Sequence, residues 1–177
     1  TAQTIAFLST IPFGLVLSSP LVRARALAEP VAASVHCELR ILQELSEIDF
    51  GHWQGHSWED VYRTDPARAT AWDSRELGAR ADGGESLDEV RRRALSVRAI
   101  VEASTSYLCL IVAHGAFNRV LISCLLDLPL TAIDDFPQSN ASVSIFEADT
   151  ERWRARVIDS TRHLENHGDN EGSGTLD

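Results

Sequence analysis

The stretch Tyr107-Leu-Cys-Leu-Ile-Val-Ala113, followed at once by His114-Gly115-Ala116, decides the fold. An unbroken apolar run of this length, with no polar alternation, is the pattern of a central strand buried on both faces. A His-Gly step ends it, and a helix is expected from there to about Asp127. The same order recurs upstream. Phe13-Gly-Leu-Val-Leu-Ser18 reads as a short buried strand, and Ser18-Ser-Pro20 opens a helix with hydroxyls and an early proline. That helix is expected over residues 21–28, weakened at Pro30.

Working outward, residues 2–9 read as the end of an amphipathic helix, and a second strand is expected within residues 35–42. Residues 44–55 form a loop rich in glycine and aromatics. Two helices are expected at residues 57–62 and 66–77, with Trp58 and Trp72 packing inward. Residues 81–84 (Ala-Asp-Gly-Gly) form a turn. Ser86-Leu-Asp-Glu89 is a capping box, and the helix behind it carries Leu87, Val90, Ala94, Val97 and Val101 at helical spacing. Arg91, Arg92 and Arg93 read as its solvated face. Residues 142–147 and 153–159 read as a hairpin at the sheet edge, and the polar, Gly-rich tail 166–177 is expected to be disordered. Strands that alternate with helices predict an α/β three-layer sandwich with a mainly parallel central sheet, in one domain over residues 1–165.

The formal charge of −10 argues against binding nucleic acid or anionic membranes through bulk charge. No stretch approaches the roughly 20 apolar residues of a membrane span, and no secretory signal opens the chain. Cys37, Cys109 and Cys124 are odd in number and read as reduced thiols in a cytoplasmic protein. Methionine is absent, even at position 1, so further residues are expected before Thr1.

In such sheets ligands sit beyond the carboxyl ends of the strands. Two strand-to-helix junctions carry unusual polar groups there: Ser18-Ser-Pro-Leu-Val-Arg23 and Ala113-His114-Gly115-Ala116. A helix N-terminus offers free N–H groups to an anion. Arg23 lies in a first helical turn, where a cation opposes the dipole. It reads either as a surface arginine or as a phosphate clamp. His114 reads either as a core histidine or as a donor to a phosphoryl oxygen. Glu47, beside Phe50 and Trp53, is either a loop acid in water or a general acid with a raised pKa. The pairs His52/His56 and His163/His167 have a spacing that can bind zinc, but neither has a neighbouring carboxylate motif, and no metal site is expected. Asn118 and Arg119 either brace the His114 site or lie on the surface.

Four blocks in order resemble the histidine phosphatase superfamily, the phosphoglycerate mutase-like proteins. They are Ser18-Ser-Pro-Leu-Val-Arg-Ala24, Leu45-Ser-Glu-Ile-Asp-Phe-Gly-His-Trp-Gln-Gly55, Gly83-Gly-Glu-Ser86 and Val112-Ala-His-Gly115. Asn140-Ala-Ser-Val143 and Ile158-Asp-Ser-Thr-Arg-His-Leu164 extend the match. The resemblance implies a metal-independent phosphomonoester hydrolase without cofactors, acting through a phosphohistidine. It makes Glu47 the acid, His114 a catalytic donor to the phosphoryl oxygens, and Arg23 the phosphate clamp. Gly115 and Ala116 join the phosphate site. The substrate is then a small phosphorylated metabolite; a homodimer is left open.

The family's nucleophile sits in an Arg-His-Gly motif on the central strand, and residues 1–177 hold no such motif. The nucleophile is therefore expected upstream of Thr1, and residues 1–177 alone are expected to be inactive. Two alternatives stand beside the phosphatase reading. One is a bisphosphoglycerate-dependent mutase, although only 37 positions separate Glu47 from Gly84, which favours a phosphatase. The other is a non-catalytic phosphate-binding relative.

Overall fold

In the computed structural model, which describes residues 1–150 and 152–165, the chain opens with α1 (Ala2–Leu8), β1 (Leu15–Ser18), α2 (Val22–Val35) and β2 (Glu38–Ile41). Short 3₁₀ turns at Gln43–Leu45 and Gly51–Trp53 lead to α3 (Trp58–Thr64) and α4 (Pro66–Asp73). Then come α5 (Leu87–Glu102), β3 (Cys109–Val112) and α6 (Gly115–Leu125). A 3₁₀ segment at Leu130–Asp135, the strands β4 (Val143–Ala148) and β5 (Trp153–Ser160), and a 3₁₀ turn at Arg162–Leu164 complete it.

β1 pairs in parallel with β2 on one side and β3 on the other, and Ser18 is in register with both Ile41 and Val112. The carboxyl ends of β1 and β3 therefore share one edge. Side-chain alternation divides the core into two layers. Leu15, Leu17, Cys109 and Ile111 pack with the buried stripes of α5 and α6, while Val16, Leu110 and Val112 pack with α1 and α2. The three-layer α/β architecture with a parallel sheet is as the sequence predicts.

Four local expectations are corrected. α2 runs on past Pro30 to Val35. Its buried stripe, Ala24, Ala28, Val31 and Ala32, lies off the exposed Pro30, so the hydrogen bond that proline forfeits falls on the solvent side. Second, β3 is not buried on both faces along its length: Tyr107 is fully exposed, and Cys109, Leu110 and Ile111 are half-buried. β3 pairs only with β1 among the described residues, which leaves one edge open. Third, the β4–β5 hairpin does not extend that sheet but forms a separate two-stranded one. It still bridges both layers, because Phe146 and Trp153 pack on one cluster and Val143 on the other. Fourth, Trp72 is buried but Trp58 is 48% exposed. The tail 166–177, including His167, lies outside the described residues.

The capping box forms as the sequence predicts: Ser86 accepts from the Glu89 N–H, and Glu89 accepts from the Ser86 N–H at 2.7 Å. No helix among the described residues is long and apolar enough to cross a membrane.

Candidate active site

Two strand ends deliver the centre of the site. The Ser19 N–H donates to the Val112 carbonyl at 2.9 Å, which holds the residues just past β1 and β3 side by side. Arg23, in the first turn of α2, then donates its Nε–H to His114 Nδ1 at 3.1 Å. An arginine can only donate, so Nδ1 is the bare nitrogen of the imidazole. The proton sits on Nε2 and points at the Ser19 hydroxyl, 2.7 Å away. The Ser19 oxygen also accepts from the Leu21 N–H at 3.2 Å. Burial first, and the Arg23 guanidinium second, push the His114 pKa below its ordinary value. The histidine is therefore neutral at neutral pH, with a fixed tautomer. Arg23 spends only Nε on it, and both Nη groups remain to donate.

Glu47 completes the site by an unexpected route. Its carboxylate accepts from the N–H groups of Ile48 and Phe117, each at 3.0 Å, and of Ala116 at 3.4 Å. Ala116 and Phe117 belong to the first turn of α6, so the carboxylate sits where the helix dipole favours an anion. Glu47 is thus not a loop acid in water. The Ala116 N–H, expected to face phosphate, is directed at Glu47. At Gly115, the start of α6, an added methyl would meet only the Gln138 Cβ, at 3.6 Å.

The loop that carries Glu47 is held by a residue the sequence reading placed in solvent. Arg93 pairs with Glu85 through Nε and Nη2, both at 2.9 Å. Its Nη1 donates to the carbonyls of Glu44 and Ser46 at 2.7 and 2.6 Å, and its guanidinium lies 4.5 Å over the Phe117 ring. Three consecutive arginines gave no sign of which one turns inward. Arg92 is exposed and pairs with Asp88, as expected of that face. Glu85 accepts from the Asp49 N–H and donates its own N–H to the Asp49 carbonyl, at 3.0 and 2.8 Å. Gly51 makes this meeting of the two glycine-bearing blocks sterically feasible. Its φ is +49°, and a Cβ there would lie 2.2 Å from the Asp82 carbonyl oxygen.

Of the other candidates, Arg119 lies in α6 near Asp134, at 3.9 Å. His52 contacts the Asp82 carbonyl, and His163 stacks on Phe7 and contacts Thr4. The last two blocks also meet: Ser139, just before Asn140, donates its N–H and hydroxyl to Asp159 at 2.6 and 2.8 Å.

The family model of the histidine phosphatase superfamily (branch 1) matches residues 1–161. A bifunctional protein of Mycobacterium tuberculosis is 30% identical over 133 residues, 75% of this chain and 36% of that protein. The chain thus spans about a third of that relative's length. The adenosylcobalamin/alpha-ribazole phosphatase of Salmonella typhimurium is 32% identical over 126 residues, 71% of this chain and 62% of the phosphatase. Among solved structures, the alpha-ribazole phosphatase from Shigella flexneri superimposes with a TM-score of 0.76 at 27% identity, covering 90% of this chain and 80% of its own.

Proposed function

The chain belongs to branch 1 of the histidine phosphatase superfamily, and on that premise we propose that it is the core of a metal-independent phosphomonoester hydrolase working through a phosphohistidine. One observation carries the reading. Arg23 and His114, which lie 91 positions apart, are hydrogen-bonded at the shared carboxyl edge of adjacent parallel strands. The phosphatases among its relatives support the reaction class.

In this reading the Nη groups of Arg23 meet the oxygens of the transferring phosphoryl group, and the imidazole N–H of His114 turns to them from the Ser19 hydroxyl when the group binds. Fixed donors of this kind stabilise charge as it develops in the transition state. A histidine nucleophile attacks phosphorus and the bond to the leaving oxygen breaks. Glu47, acting in its protonated form, gives that oxygen a proton, then as the carboxylate takes one from the water that cleaves the phosphohistidine. Phosphate leaves and the imidazole is regenerated.

Residues 1–177 hold no Arg-His-Gly step, and this reading assigns the nucleophile to none of them. A cytoplasmic setting accords with Cys37, Cys109 and Cys124, all free thiols. The test is turnover of nitrophenyl phosphate by protein expressed from its full reading frame. Arg23→Ala and His114→Ala should each lower kcat by about 10²-fold or more. Wild-type turnover in either variant overturns the reading.

A further inference from the structure

A cavity of about 1000 Å³ opens beside the site and includes Arg23, Glu47 and Ala116 in its wall. Away from those groups its wall is aromatic. Phe50 meets the edges of Trp58 and Trp72, with ring centres 6.2 and 5.3 Å apart, and Trp53 meets the same two rings at 5.9 and 6.1 Å. Tyr62 adds a fifth ring. Trp53 and Trp72 are buried, whereas Trp58 and Tyr62 stand exposed at the rim. Exposed aromatic rings clustered around a concave site present apolar faces and edges to a planar guest.

The charged groups of the same wall exclude another kind of guest. Arg75 is paired with Asp134 and lies 3.9 Å from Asp73, and Arg119 is 3.9 Å from Asp134. His56 stands beside Asp60. Among the described residues lining the cavity, only Arg23 among the arginines has no acidic partner, and it belongs to the phosphoryl group. A second carboxylate or phosphate on the leaving group would lie against Asp49, Asp73 and Asp134, and the guanidiniums nearest it, Arg75 and Arg119, already face Asp134.

We propose that the site takes phosphomonoesters of neutral alcohols bearing a planar, apolar ring, and rejects those whose leaving group carries a further anion. The inference rests on the phosphatase reading above. Non-hydrolysable phosphonates separate binding from the differing reactivity of leaving groups. Methylphosphonate presents the head group alone, (1-naphthylmethyl)phosphonate adds a ring, and 2-amino-4-phosphonobutyrate adds a carboxylate and an amine.

Calorimetric titration of protein from the full reading frame should show the naphthyl compound binding about tenfold tighter than methylphosphonate or better. The amino acid phosphonate should bind no tighter than methylphosphonate. Trp58→Ala should cut the naphthyl advantage to about threefold or less, and Trp58→Phe should keep most of it. A naphthyl advantage that is absent, or that survives Trp58→Ala, overturns the inference, as does preference for the amino acid phosphonate. If methylphosphonate binding is weakened by Arg23→Ala in those cases, the phosphatase reading still stands. If Arg23→Ala leaves methylphosphonate binding untouched, the phosphate site is misassigned and both readings fall.

Discussion

Replacing Arg93 by methionine keeps the length of the stem and removes the guanidinium. Five hydrogen bonds go with it: two to the Glu85 carboxylate and three to the carbonyls of Glu44, Ser46 and Glu47. The contact over Phe117 is lost as well. The Arg93 and Glu85 side chains are 13% and 26% exposed, so solvent screens the pair only partly. Removing one partner from a buried pair costs about 3–5 kcal/mol. Because the 44–49 loop can open and let water reach Glu85, the low end, about 3 kcal/mol, is expected. In a chain of this size that lowers Tm by about 6–12 °C. Urea denaturation of Arg93→Met, Glu85→Gln and the double variant measures it. The cycle should show a coupling of at least about 1 kcal/mol. A loss below about 1 kcal/mol, or additive single effects, would refute the claim that Arg93 fastens the Glu47 loop to α5 and α6.

His114, its pKa lowered by burial and Arg23, makes the folded state bind fewer protons than the unfolded chain just below about pH 6.5. Its contribution to stability is full above that pH and is lost as pH falls through the folded value. Wild-type Tm should therefore drop more steeply between pH 7.5 and 5.5 than that of His114→Gln; parallel curves would contradict it. Glu47→Gln should slow an alkyl phosphate about tenfold more than nitrophenyl phosphate, whose phenol leaves with little help. Equal losses on the two substrates would remove Glu47 from the acid role.

The parallel arrangement was legible because buried strands and capped helices announce themselves locally. The run 107–113 and the Ser86 capping box are cases where composition and spacing act within a few residues. The convergence of Arg23 and His114 was legible too, since each closes or follows a strand whose carboxyl end had to face the same edge. What failed depended on neighbours. The half-burial of β3 follows from its one open edge, a property of the sheet and not of Cys109–Val112. Pro30 is tolerated because of which helix face packs, and that is set by α1 and β1. Arg93 turns inward because Glu85 and the 44–46 carbonyls meet it there, and nothing distinguishes it from Arg92 in sequence. Trp58 looked like a core residue by type, but α3 turns it toward the cavity rim.

The most direct test of the central claim is rapid-quench labelling of protein from the full reading frame with an aryl phosphate carrying a labelled phosphoryl group. A histidine intermediate holds the label through a P–N bond, which is labile in acid and survives alkali. The account predicts such a labelled species within one turnover, formed equally well with excess chelator and strongly diminished in Arg23→Ala. Turnover without any covalent label, a label stable in acid, or labelling abolished by the chelator would contradict it.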